Sequence, residues 1–158
     1  MIGRRTAAVL LVALAAAGTA GCGTSSDGLS NSQIKALNAR VTTFLTGLNG
    51  ANAAIAACKS KGGDLQQRSK CVGSALDDAA GHVGDLASYS DGLAASTGGK
   101  CQKTLTLFSK TLTAQARLFS NAADQARSQQ IKAFVKSMNG IRPATVSAIA
   151  RSVEKECG

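Results

Sequence analysis

The chain has 158 residues, with 18 basic residues against 9 acidic ones and a formal net charge of +9. Aromatic residues make up only 3% of it and tryptophan is absent, which disfavours a nucleic-acid surface built on stacking rings. Once an N-terminal signal is set aside, the remaining length fits one domain that can bury a core. We therefore expect a single folded domain that does not bind nucleic acid.

The first residues have the pattern of an export signal. Arg4 and Arg5 precede an uncharged apolar run from Ala7 to Ala17. The run is about eleven residues long, whereas a membrane-spanning helix needs roughly twenty. We predict that residues 1–21 form a signal peptide that is removed on export.

Four small residues, Gly18-Thr19-Ala20-Gly21, lead from the apolar run into Cys22. This segment resembles the lipobox of bacterial lipoprotein precursors, and the resemblance covers about 22 residues. It implies that Cys22 is acylated with diacylglycerol, becomes the first mature residue and anchors the protein to the outer face of the bacterial cell membrane. Thr19 departs from the pattern, which usually has Leu there. Cleavage after Ala20, giving a soluble secreted protein, is therefore the alternative.

The cysteine count supports the anchor independently. The chain has five cysteines, and an exported domain rarely leaves a thiol unpaired. Setting Cys22 aside leaves four, which can form two disulfides in an oxidising extracytoplasmic compartment. Cys22 is then the odd cysteine that carries the lipid.

The segment after Cys22 is rich in glycine and serine, which is typical of a flexible tether. We predict a tether over residues 22–29 and a folded domain over residues 30–158. Without Arg4 and Arg5 the chain has 16 basic residues against 9 acidic ones. Ten of those basic residues and only three of the acidic ones follow Gly98, so the C-terminal half carries the excess positive charge.

Apolar or small residues recur every three or four positions in four successive segments, the period of one face of an α-helix. The first covers residues 34–58. The second begins after Asp64, a residue type favoured at helix N-caps. The third begins at Cys101, and the fourth covers residues 131–153. Strand patterns are absent, so the sequence predicts an all-α fold.

The boundary between the last two helices has two interpretations. Either the turn lies near Ser128 and Pro143 kinks the fourth helix, or the third helix continues to about Met138, the chain turns at Asn139-Gly140 and a short helix follows Pro143.

The cysteine positions favour one pairing in antiparallel helices. Cys58 and Cys71 flank the first turn, and a turn near residue 129 would bring Cys101 level with Cys157. A Cys58–Cys101 link would instead have to span roughly 40 Å of helix. We therefore predict the disulfides Cys58–Cys71 and Cys101–Cys157 in an up-down-up-down four-helix bundle. Its alanine-rich core leaves little room for a large ligand.

One group of polar residues could bind a ligand. Asp78, His82 and Asp85 share a face of the second helix, with Tyr89 one turn further on, and could contribute to a metal site. His82, Tyr89 and Met138 are also conceivable haem ligands. His82 is the only histidine, however, and a solvated helix flank explains the same pattern. We therefore expect no cofactor.

A basic surface is the other candidate. Lys103, Lys110 and Arg117 repeat every seven residues on the third helix, and Lys132 and Lys136 lie on the fourth. Such a surface could bind anionic lipid headgroups, anionic envelope polymers or another envelope protein. A charged helix face can equally serve solubility alone.

No catalytic pattern accompanies these candidates, because the sequence shows neither a nucleophile with its base nor a phosphate-binding glycine loop. We therefore expect a non-enzymatic envelope lipoprotein that acts as a binding or interaction module through its cationic C-terminal hairpin. A small-ligand, metal or haem carrier centred on His82 is the alternative.

Overall fold

A computed structural model describes residues 28–60 and 62–158. Throughout these residues the chain is helical, without strands, which confirms the predicted all-α class and the helical bundle. No helix in this part of the chain combines the length and the apolar character needed to cross a membrane. The five helices are α1 (Asn31–Ser60), α2 (Leu65–Ala95), α3 (Gly99–Arg127), α4 (Ile131–Gly140) and α5 (Pro143–Cys157).

The core is built on the pairing of α2 with α3, the most extensive helix contact in the molecule. Leu76 and Leu86 of α2 and Leu105, Phe108 and Leu112 of α3 are almost completely removed from solvent. The other helices are added to this pair, since α1 packs mainly on α2, and both α4 and α5 pack on α3. Burial of these apolar side chains is the main stabilising term of the domain.

Helix α2 begins where the sequence predicts. Asp64 is its N-cap, and the Asp64 carboxylate accepts a hydrogen bond of 2.7 Å from the backbone N–H of Gln67. This bond satisfies one of the N–H groups that the first helical turn leaves without a partner.

Both predicted disulfides are present. Cys58 is bonded to Cys71 and Cys101 to Cys157, with Cα atoms 5.8 and 4.8 Å apart. The bonded residues are separated by 13 and 56 positions in sequence. Loops of these lengths correspond to roughly 3 and 4 kcal/mol of stabilisation in the chain-entropy account.

The N-terminal end of the described chain is fixed against the C-terminus. Leu29 is buried, and its backbone N–H donates a 3.0 Å hydrogen bond to the carbonyl oxygen of Cys157. Packing therefore starts one residue before the predicted domain boundary at residue 30. Cys22, the signal peptide and most of the tether lie outside the described residues, and those assignments stay predictions.

The chain turns between α3 and α4 at residues 128–130, in agreement with the interpretation that placed this turn near Ser128. Gln130 N–H donates to the carbonyl oxygen of Gln125, and Gln129 N–H donates to that of Ala126. Gln129 has a φ of 56°, in the left-handed region. These three features form a Schellman motif, with glutamine where glycine is usual.

A second break follows at residues 141–142, because Pro143 occupies the first turn of a new helix. The fourth predicted helix is therefore interrupted rather than kinked. The backbone N–H of Arg142 donates a 2.7 Å hydrogen bond to Oε1 of Gln115, a buried residue of α3. Proline cannot continue the helical hydrogen bonding, and the Arg142 N–H next to it has found a partner in Gln115. Together these explain why the fourth predicted helix divides into α4 and α5 here.

Replacing the strained turn residue should stabilise the domain. We expect Gln129→Gly to raise the free energy of unfolding by about 0.5 to 1 kcal/mol, because glycine adopts a positive φ without steric cost. Gln130→Gly is the matched control, since Gln130 has a φ of −82° and glycine there should lower stability by a similar amount. Urea unfolding followed by circular dichroism measures both. Equal effects at the two positions would contradict the role of Gln129.

Candidate functional site

Two open clefts lie beside the α2–α3 pair, and the first contains His82. This cleft, the His82 cleft, has a volume of about 450 Å³ and lies between α1 and α2. It contains all three residues of the predicted metal group, Asp78, His82 and Asp85. Its remaining lining is acidic or small: Gly47, Gly50, Ala51, Ala54, Asp77 and Gly81.

His82 reaches across to α1 because position 47 has no side chain. A Cβ atom built at Gly47 would overlap the imidazole ring. Gly50, one turn further along α1, has nothing within 4 Å of the equivalent atom. The glycine at position 47 thus makes room for the imidazole, a contact between helices that periodicity in either segment could not reveal.

The charges of the His82 cleft divide into paired and unpaired carboxylates. Asp77 binds the guanidinium of Arg127 on α3, and this hydrogen bond raises the pKa of Arg127. Within residues 28–60 and 62–158, Asp78 and Asp85 form no salt bridge. The cleft therefore has acidic character on a protein whose net charge is positive.

The geometry gives no metal centre in the part of the chain that the structure describes. No three histidine, cysteine, aspartate or glutamate side chains come close enough there to hold an ion together. Tyr89 and Met138, the other suggested haem ligands, both pack against other side chains of the domain. The ring of Tyr89 lies 4.3 Å from the guanidinium carbon of Arg40, and Met138 packs against the core from α4.

The second cleft, which we call the basic groove, lies between α2 and α3 and has a volume of about 420 Å³. It brings together two predicted anion-binding residues, Lys110 and Arg117. Both are exposed and carry positive charge into an open groove. The lining is completed by Ala87, Ser88, Asp91, Ser109, Thr113 and Ala114.

The other predicted basic residues are not in this groove. Lys103 is exposed on α3, and Lys132 and Lys136 are exposed on α4. The predicted cationic surface is thus at least two separate features, a groove on the α2 side of α3 and a pair of lysines on α4. Chain position alone does not distinguish them, because all five residues belong to the same basic half of the sequence.

The Ser88 hydroxyl adds a hydrogen-bond donor to the basic groove, and the sequence patterns did not identify it. Ser88 and Thr113 lie beside Lys110 and Arg117. The Thr113 hydroxyl donates its hydrogen to the backbone carbonyl of Ser109, so it is not free to donate to an anion. Ser88 can donate to an anion. Asp91 is the one carboxylate of the lining, so positive charge exceeds negative charge by one.

A third feature is a small apolar slot of about 50 Å³ between α1 and α5. Phe44, Leu86, Phe108 and Val146 are among its walls. It is much smaller than either open cleft.

Comparison with known proteins does not identify the chain, since no protein family, no curated protein and no solved structure matches it.

The two glycines of the His82 cleft should respond differently to substitution. Gly50→Ala should raise the free energy of unfolding by about 0.5 to 1 kcal/mol, because alanine is the better helix former and its methyl group meets nothing. Gly47→Ala gains the same propensity but must displace the imidazole, so we expect it to be at least about 1 kcal/mol less stable than Gly50→Ala. Chemical unfolding of both variants tests this.

The same experiment in a His82→Ala background provides the control. Removing the imidazole should make the two glycine substitutions equivalent within about 0.5 kcal/mol, as expected for sites that no longer share a contact. A difference that persists without His82 would show that Gly47 is constrained by something else.

Proposed function

We propose that the protein is a non-enzymatic, lipid-anchored binding module on the outer face of the bacterial cell membrane. Support for the anchor comes from the cysteines. Four of the five are joined in two disulfides, which leaves Cys22 as the odd one. The disulfides are compatible with an oxidising extracytoplasmic location. In the secreted alternative, cleavage after Ala20 leaves Cys22 as a free thiol.

We further propose that the helical limbs alternate in direction, up-down-up-down, with α4 and α5 together as the fourth limb. The Cys58–Cys71 disulfide supports this by joining the end of α1 to the start of α2. The Cys101–Cys157 disulfide joins the start of α3 to the end of α5, and Leu29 binds Cys157. Under this topology the tether enters at the end of the bundle that holds Cys157.

The basic groove is the proposed contact surface, and the observation that carries this is the convergence of Lys110 and Arg117 with the Ser88 hydroxyl in one open cleft. Cationic nitrogens and hydroxyls together bind phosphate and carboxylate groups. The open form of the groove suits a chain-like ligand better than an enclosed small molecule. We therefore propose an anionic polymer of the cell envelope as the partner.

A small-ligand carrier is the second candidate, because the His82 cleft is of similar size and has the opposite charge. Asp78 and Asp85 would favour a cationic ligand there, with His82 as an additional hydrogen-bonding or metal-binding group. The two candidates place their ligands on different sides of α2. The acidic His82 cleft lies between α2 and α1, and the basic groove lies between α2 and α3.

Lipidation predicts a specific mass for the mature protein. We expect a chain that begins at Cys22, carries acyl groups on that residue and is lighter by the four hydrogens lost in two disulfides. Intact-mass spectrometry of protein extracted from membranes with detergent measures all three properties. A Cys22→Ser variant should lose the acyl mass and the membrane association. A mature chain that begins at Gly21 and is unacylated would contradict the anchor.

The basic groove predicts a localised charge dependence. We expect Lys110→Glu combined with Arg117→Glu to weaken binding to isolated envelope polymer by about 25-fold or more, since each basic residue near an anionic surface contributes about fivefold. Lys59→Glu with Lys70→Glu changes the net charge equally on exposed positions of the first hairpin and should have little effect. Sedimentation of the polymer with bound protein measures both. Equal losses in both variants would show that binding depends on net charge rather than on the basic groove.

A further inference from the structure

Helix α4 exposes two large apolar side chains to solvent. Ile131 is 63% exposed and Val135 is 48% exposed. They are four positions apart, so they lie one above the other on the same face of the helix. The other large hydrophobic residues exposed in the described chain, Leu65 and Leu107, belong to different helices. The α4 pair is therefore a small apolar patch rather than two scattered residues.

The patch exists because the apolar face of α4 is wider than its contact with the rest of the domain. Phe134 and Met138 lie next to the exposed pair on the helix surface and are partly buried against the core. Ser137 fixes α4 from the other side, since its hydroxyl donates a 2.8 Å hydrogen bond to Oε1 of Gln125 on α3. Anchored in this way, α4 cannot rotate to bury Ile131 and Val135 without losing these contacts.

Lysines border the patch. Lys132 and Lys136 follow the two apolar residues by one position each, and both are exposed. Neither has a salt bridge to any residue in the described part of the chain. An apolar edge bordered by unpaired lysines is the pattern of a helix that lies in the interface of an anionic membrane, with apolar side chains among the acyl chains and ammonium groups among the phosphates.

We propose that α4 docks on the surface of an anionic phospholipid bilayer, with Ile131 and Val135 inserted at the level of the headgroups and Lys132 and Lys136 bound to lipid phosphates. The proposal rests on the proposed function for its biological setting, because a lipid on Cys22 holds the domain next to such a surface. Two apolar residues and two lysines bind only weakly on their own. A tether raises the local concentration enough for a weak contact to set orientation.

The docking specifies how the domain lies on the membrane. The tether enters beside Cys157, where Leu29 is bound, whereas α4 begins 26 residues before Cys157 in the same limb. An α4–α5 limb of that length extends roughly 40 Å, and the segment from Cys22 to Gly28 reaches at most about 20 Å. An upright domain would hold α4 away from the bilayer. Contact at both places therefore requires the bundle to lie on its side.

Vesicle binding tests the proposal without the lipid anchor. The mature chain with Cys22→Ser is mixed with vesicles of equal parts phosphatidylglycerol and phosphatidylcholine, and with pure phosphatidylcholine vesicles. We expect partitioning at least about tenfold stronger on the anionic vesicles, as two lysines at about fivefold each allow. Ile131→Ser with Val135→Ser, and separately Lys132→Gln with Lys136→Gln, should each reduce it about tenfold. Because this contact is weak without the anchor, the titration extends to millimolar lipid, and absence of binding by the parent chain there would overturn the proposal.

Matched variants separate α4 from general effects. Leu65→Ser with Leu107→Ser removes an equal number of exposed apolar residues, and Lys59→Gln with Lys70→Gln removes equal charge; both should bind within twofold of the parent chain. Because the protein contains no tryptophan, Val135→Trp gives a single fluorescent reporter. Its emission should shift to the blue on anionic vesicles, whereas that of Leu107→Trp should not. Equal losses in the control variants, or no shift at position 135, would contradict docking through α4.

Two further measurements distinguish the alternatives. If a second copy of the chain covers this patch, the parent chain will dimerise in sedimentation and Ile131→Ser with Val135→Ser will be monomeric; that result would overturn membrane docking. The Lys110→Glu and Arg117→Glu variant should bind vesicles within about threefold of the parent chain. A variant that no longer binds envelope polymer but still binds vesicles has lost the function of the basic groove alone. A variant that still binds polymer but no longer binds vesicles has lost the function of the α4 patch alone.

Discussion

The close contact between α2 and α3 is the interaction on which the rest of the structure depends. Gly73 of α2 lies where a Cβ atom would be 3.1 Å from the backbone oxygen of Ala123 on α3, so only a residue without a side chain fits there without displacement. Ala122 and Ala123 are fully buried at the same end of α3. Small residues let the two helices approach, while Leu76, Leu86, Leu105 and Phe108 fill the middle of the interface. The remaining helices attach to this pair from outside, and fewer of their large apolar residues are fully buried.

This arrangement explains why the candidate sites are on the surface. Helix α1 presents glycine and alanine where it faces Asp78 and His82, so the two helices enclose an open cleft instead of a packed interface. The basic groove lies between α2 and α3 and is open to solvent. Next to Phe44 and Phe108, the described part of the chain has a small apolar slot of about 50 Å³.

Much of the fold could be predicted from the sequence, because it depends on local signals. The helical periodicity, the Asp64 cap and the spacing of four cysteines are each readable within one segment or one hairpin.

The turn at Gln129 was ambiguous because glutamine occupies a left-handed position that glycine normally marks. The clean break before Pro143 depends on Gln115, which lies 27 positions away in sequence. Contacts between helices, such as the imidazole over Gly47, have no signature in either helix alone. The assignment of Cys22 remains a sequence prediction.

The exposed carboxylates of the His82 cleft and the exposed lysines of α4 lie on different helices. Asp78 and Asp85 are exposed in the cleft between α1 and α2, whereas Lys132 and Lys136 are exposed on α4. Near a negatively charged surface such a domain experiences a torque, because the basic side is attracted and the acidic side is repelled within a distance of about 8 to 10 Å at physiological salt. Under the proposed anchoring, a short tether would keep the domain inside that range. The same charges that would be only solubilising on a freely diffusing protein would then help to orient an anchored one.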